Sequence, residues 1–142
     1  MNLYFDTSAL IKRYIEENGS DYIAELIAGG AVVATGLTTR AEMAAGINRL
    51  FRMNSITQEH HSIALRDFRS DWHHYERIVI SEELVARADS LTGEFSLRGY
   101  DAIHLACGLT WQDALELPVT VVTYDMQLKD AAKRAGLLIL PE

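Results

Sequence analysis

The chain has 142 residues, the size of one domain, and 49% of them are hydrophobic, enough for one packed core; a single Cys107 excludes an internal disulfide framework and a cysteine-based zinc site. Twenty acidic residues against 13 Lys and Arg give a formal net charge of −7, which argues against coating nucleic acid by bulk charge but permits a local basic patch. No apolar run reaches the ~18 residues of a membrane span and no basic segment precedes a secretory apolar core, so the expectation is one cytoplasmic domain over residues 1–142 with no membrane partner.

The elements alternate along the chain. Asn2 to Phe5 reads as a short apolar strand ending at Asp6, and Ser8 to Glu17 as a helix with Leu10, Ile11, Tyr14 and Ile15 on one face. Ser20 to Ile27 is a second helix, stopped by Gly29-Gly30, and Ala31 to Thr35 is a β-branched, buried strand. Thr39 to Phe51 and Thr57 to Trp72 form two further helices, the first with Met43, Ile47, Leu50 and Phe51 as its apolar stripe. Arg77 to Ile80 is a strand, and Ser81 caps a helix whose first residues are Glu82 and Glu83. Leu97 to Tyr100 breaks that helix, and Asp101 opens another that runs to Leu109. Val119 to Thr123 is the clearest strand; Asp125 to Ala135 is a helix stopped by Gly136, and Leu137 to Leu140 is a last strand.

Strands alternating with helices predict an α/β fold of three layers, helices on both faces of a mainly parallel sheet. Ligand sites in such sheets lie beyond the carboxyl ends of the strands. Asp6 and Asp125 each follow a strand, so both are expected at that edge. Glu42, in the first turn of its helix, and Asp101 complete four carboxylates set apart by position. Oxygen-only ligands suit Mg²⁺ or Mn²⁺, and such ions supply the charge neutralisation and water activation that phosphodiester hydrolysis requires. Each acid also has a plain structural reading. Asp6, Asp101 and Asp125 stand where helix caps are wanted, and Thr39-Arg40-Ala41-Glu42 fits a capping box.

Four blocks carry a family resemblance. LYFDTSALIKRY resembles the opening of PIN-domain proteins, and TTRAEMAAGI, LRGYDAIHLA and TYDMQLKDAAKRAGL resemble their second, third and fourth acidic segments, in the same order from one end of the chain to the other. Among PIN proteins the chain is most similar to the toxins of VapBC toxin–antitoxin pairs. The resemblance implies a PIN-like fold and a Mg²⁺- or Mn²⁺-dependent endoribonuclease. It implies Asp6, Glu42, Asp101 and Asp125 as the metal-binding, catalytic acids, supported by the hydroxyls of Ser8 and Thr123. An RNA substrate, a small antitoxin covering the site, and a homodimer are the partners it implies. By chemistry, Ser8 can bond Asp6 or a metal-bound water, and Thr123 can orient the loop that holds Asp125.

Lys12, Arg13 and Arg40 flank the acids and are candidates for RNA phosphate contacts, each with a solvated helix face as the alternative. Lys129, Lys133 and Arg134 read as surface charge. His104, three residues after Asp101, reads as a packed or hydrogen-bonded core histidine on an apolar helix face that also carries Cys107, a buried inert thiol. Phe51, Phe68, Trp72 and Tyr75 read as core or dimer contacts. Two other functions compete: a non-catalytic interaction module that keeps the PIN fold and uses the acids as caps, and a metal-dependent phosphatase or phosphoryl-transfer domain. Against the latter, Asp6 is followed at i+2 by Ser8 and not by a second aspartate, and no GxxxxGK loop is present.

Overall fold

A computed structural model describes every residue from Met1 to Glu142. Five short strands, β1 (Asn2–Phe5), β2 (Val32–Gly36), β3 (Glu76–Ile78), β4 (Thr120–Val122) and β5 (Leu138–Leu140), form one sheet in the order β3-β2-β1-β4-β5. Every pairing is parallel, so the sheet is wholly and not just mainly parallel. The helices are α1 (Thr7–Leu10), α2 (Ser20–Ala28), α3 (Thr39–Arg52), α4 (Gln58–Asp71), α5 (Glu82–Phe95), α6 (Gly99–Leu115) and α7 (Met126–Arg134).

The strand periodicity of two divides the core into two layers. Leu3, Phe5, Val33 and Val122 face one side and pack with Ile23, Met43, Ile47, Phe68 and Trp72 from α2, α3 and α4 and the turn after α4. Tyr4, Ala34 and Val121 face the other and pack with Leu91, Leu105, Ala106, Leu128 and Ala132 from α5, α6 and α7. Both faces are covered, which is why the strands read as nearly continuous apolar runs. No helix is long and apolar enough to cross a membrane.

Two helix boundaries differ from the sequence reading. The helix expected over Ser8–Glu17 is a single turn, α1, followed by a 3-10 turn over Ile11–Arg13. Tertiary bonds draw the following residues out of helical register. The Tyr14 hydroxyl donates to Asp71 at 2.8 Å and meets the Tyr75 hydroxyl, and the Ser20 hydroxyl donates to the Ile15 carbonyl at 3.1 Å. The helix expected to open at Asp101 begins at Gly99, with Arg98 as its N-cap residue, and continues to Leu115. Asp101 is therefore inside the first turn and does not cap the helix. Phe68, Trp72 and Tyr75 are core residues, whereas Phe51 is 37% exposed and stacks on His61 with ring centroids 4.5 Å apart.

Candidate metal centre

Adjacent parallel strands β1 and β4 end side by side, and their carboxyl ends deliver Asp6 and the Thr123–Asp125 loop to the same edge. Asp6 is the N-cap of α1 and 4% exposed. Its carboxylate accepts from the Ser8 hydroxyl at 2.7 and 2.9 Å, from the Thr123 hydroxyl at 2.6 Å and from the Ala9 amide at 3.0 Å. The two hydroxyls also accept: Ser8 from the Tyr124 amide at 3.0 Å, and Thr123 from the Asp125 amide at 3.0 Å. Each hydroxyl thus ties Asp6 to the loop after β4. Burial pushes the Asp6 carboxyl above its ordinary range, against the opposing pull of His104, Thr123, Ser8 and the Ala9 amide.

These bonds make a stability prediction. Thr123→Val keeps the side-chain shape but removes a donor to a buried carboxylate and an acceptor for the Asp125 amide. The expected cost is about 1.5–3 kcal/mol, the usual worth of a hydrogen bond to a charged group. A urea denaturation midpoint unchanged from wild type would contradict it.

Asp125 is the N-cap of α7, accepting from the Leu128 amide at 2.9 Å. Asp101 lies across from it on α6, with Arg98 Nε 3.8 Å from its carboxylate. Burial, followed by repulsion from Asp125 and Asp6, raises the Asp101 carboxyl, and the charges of Arg98 and His104 offset this only in part.

Glu42 does not close a capping box. Thr38, not Thr39, is the N-cap residue of α3, and the Thr39 hydroxyl is bonded to that of Thr35 at 2.8 Å. The Glu42 carboxylate turns inward instead, where Oε2 accepts from the Thr7 hydroxyl and meets His104 Nε2 at 3.1 Å. Oε1 is buried with no hydrogen-bond partner. Burial raises the Glu42 carboxyl, but the His104 bond and charge and the Thr7 bond outweigh it, so the group sits below its ordinary range. His104 shows the complementary shift. Burial lowers it, and the bond and charge of Glu42, then Asp6 and Asp101, carry it above its ordinary range. Its Nδ1 lies 2.8 Å from the Tyr4 hydroxyl.

His104 is thus both a buried core residue and a direct neighbour of one acid, a link that its i+3 spacing from Asp101 left open. Thr7, between Asp6 and Ser8, is a second neighbour that the sequence reading passed over. Cys107 is fully buried, and burial pushes its thiol up to about 11, so it stays protonated and inert.

The flanking cations divide. Lys12 is engaged within the chain: its ammonium donates to Glu17 at 3.1 Å and to the Asn18 carbonyl at 2.7 Å, and sits 4.4 Å from the Tyr124 ring centroid. Arg13 and Arg40 are exposed. Arg40 borders a groove with Leu37, Ala41, Ala44, Phe68 and Arg69 between α3 and α4.

No three His, Cys, Asp or Glu side chains close into a ready cation cage. The donor set nevertheless fits a hard divalent ion. Mg²⁺ keeps several waters and takes only one or two carboxylates directly, so a closed protein cage is not required. The unpartnered buried Oε1 of Glu42 and the repulsion of Asp101 by Asp125 and Asp6 both favour positive charge at this edge.

Comparison with known proteins agrees with this architecture. Ribonuclease VapC45 from Mycobacterium tuberculosis is 27% identical over 139 residues, covering 98% of this chain and 94% of the relative. The structure of FitAB bound to an IR36 DNA fragment superposes with a TM-score of 0.72 at 14% identity, covering 97% of this chain and 93% of that one. A toxin–antitoxin complex from Klebsiella pneumoniae superposes with a TM-score of 0.58 at 22% identity, covering 84% of each chain. The PIN domain model matches residues 3–134, and the chain belongs to the PIN domain family.

Proposed function

We propose that the chain is a Mg²⁺- or Mn²⁺-dependent endoribonuclease that hydrolyses RNA phosphodiester bonds, and the toxin of a toxin–antitoxin pair. The observation that carries the reading is the gathering of Asp6, Asp101 and Asp125 at one sheet edge, beside a Glu42 oxygen that is buried without a partner. A divalent cation held there would supply Lewis-acid polarisation of the phosphate and activation of a water.

The chain's own residues do the rest. Ser8, Thr123 and the Ala9 amide fix Asp6 in one orientation, so the ligand pays little reorganisation on binding. Asp101 and Asp125 complete the acidic edge and help accept the proton of the attacking water. Arg13 and Arg40, both exposed, offer phosphate contacts; Lys12, held within the chain, serves more to fix the Glu17–Asn18 turn. Hydrolysis adds the water oxygen to phosphorus and breaks one bridging P–O bond, without a covalent enzyme intermediate.

The ribonuclease relative supports the chemistry, and the toxin–antitoxin neighbour supports an antitoxin partner, which we propose is small and covers the acidic edge. A homodimer completes the proposed assembly. The competing non-catalytic module draws on one observation, that Asp6 and Asp125 do cap helices. RNA-end sequencing after brief expression in a cell separates the two. New 5′ ends at defined positions with wild type and none with Asp6→Asn are expected; identical end profiles would leave the non-catalytic module as the better reading.

A further inference from the structure

We propose that His104 and Thr7 are positioning residues that clamp one oxygen of Glu42 so that the other is presented to the cation; this rests on the metal-dependent reading above. Two donors converge on the same atom. Thr7 Oγ1, from the first turn of α1, and His104 Nε2, from α6, both meet Glu42 Oε2. Oε1 is left buried and without any partner in the chain. A glutamate has three side-chain torsions, and a free one would turn so that both oxygens found donors or water. Holding Oε2 from two elements fixes the carboxylate plane and leaves Oε1 one direction.

The clamp is itself supported. His104 is 4% exposed, and its other nitrogen meets the hydroxyl of Tyr4, a fully buried residue of β1. With both nitrogens engaged the ring cannot flip, and Nε2 directs a proton at Glu42 both in the neutral ring whose Nδ1 accepts from Tyr4 and in the protonated ring, which donates from both nitrogens. Tyr4, His104 and Glu42 thus form a chain from the central strand to the acidic edge. It is the arrangement by which outer partners orient a metal's ligands, here with the histidine acting on a carboxylate.

The test is Mn²⁺ affinity, read by electron paramagnetic resonance of the free ion, with RNA cleavage as a second readout and circular dichroism to confirm folding. His104→Phe keeps a ring in the core and removes the donor; its affinity is expected to fall about 10- to 100-fold, the range found when a ligand's hydrogen-bond partner is lost. His104→Gln restores an N–H near Nε2 and is expected to recover most of that loss. Thr7→Val, on a half-buried residue, is expected to weaken Mn²⁺ in the same direction with kcat falling and KM for RNA unchanged, and it carries the test alone if His104→Phe does not fold. Wild-type Mn²⁺ affinity in folded His104→Phe, or in Thr7→Val, overturns the clamp. Equal losses in His104→Phe and His104→Gln would show that the ring only fills space, and also overturn it. A wild type that neither binds Mn²⁺ nor cleaves RNA fails differently: it removes the metal-dependent reading, and the clamp with it.

Discussion

Asp6→Asn is expected to lower RNA cleavage by more than about a hundredfold, beyond what loss of a ligand's outer partner costs, while the protein still folds. The local bonding supports both halves. An asparagine oxygen can still accept from the Ala9 amide and Ser8 where Asp6 Oδ1 now does. Its amide nitrogen would face Thr123 Oγ1, which now donates at 2.6 Å, so that hydroxyl must exchange donating for accepting. The Ser8 bond to Oδ2 is lost, and this is set against the removal of a buried charge, so stability changes little. What disappears is the negative charge that a cation needs. Cleavage within a few-fold of wild type in a folded Asp6→Asn would show that Asp6 serves only as the cap of α1.

Removing divalent cations is expected to make stability fall as pH rises, and adding Mg²⁺ to reverse this. Asp6 and Asp101 have folded values above the ordinary 3.8, so their contribution is fully present below 3.8 and is lost as pH rises through the raised values. His104 behaves alike from its ordinary 6.5 upward, as its folded value is also raised. Glu42 has the opposite sign: its contribution is present above 4.5 and is lost as pH falls through its lowered value. The apo protein should therefore be most stable on the acid side of neutrality and weaken toward alkaline pH. A cation that binds only the folded state at 100 times its Kd adds about 2.7 kcal/mol, or roughly 5–10 °C in Tm for a domain of this size. Asp101→Asn removes one of the repelling charges, so its apo form should melt higher than wild type and respond less to Mg²⁺. Because Asp101 is not the cap of α6, no capping loss offsets that gain. Thermal melts from pH 5 to 8, with chelator and with Mg²⁺, measure both. An apo stability that rises across this range, or equal Mg²⁺ shifts in the two proteins, would contradict the electrostatic account.

The layer architecture was legible because its signals are local. VTVVT and AVVAT are short β-branched runs, and the residues between them repeat at helical spacing. The parallel sheet then follows from alternation alone, and the common edge of Asp6 and Asp125 from the place of each after a strand. The boundaries that failed were set by distant partners. Tyr14 is drawn toward Asp71 and Tyr75, 57 and 61 residues away, and no pattern within residues 8–17 shows this. Glu42 is the clearest case in the site. Its capping-box spacing was real, yet Thr7 and His104, 35 and 62 residues distant, hold its carboxylate. Local sequence shows which acids stand at helix starts; only the fold shows which caps are occupied by something else.

Cleavage of an end-labelled, structured RNA by purified protein tests the central claim most directly, run in excess chelator, then with Mg²⁺ or Mn²⁺ restored, then with Zn²⁺. Cleavage that stops in chelator and returns with Mg²⁺ or Mn²⁺, but not with Zn²⁺, is the predicted result, since every proposed ligand is an oxygen. Full cleavage in the chelator would contradict the account.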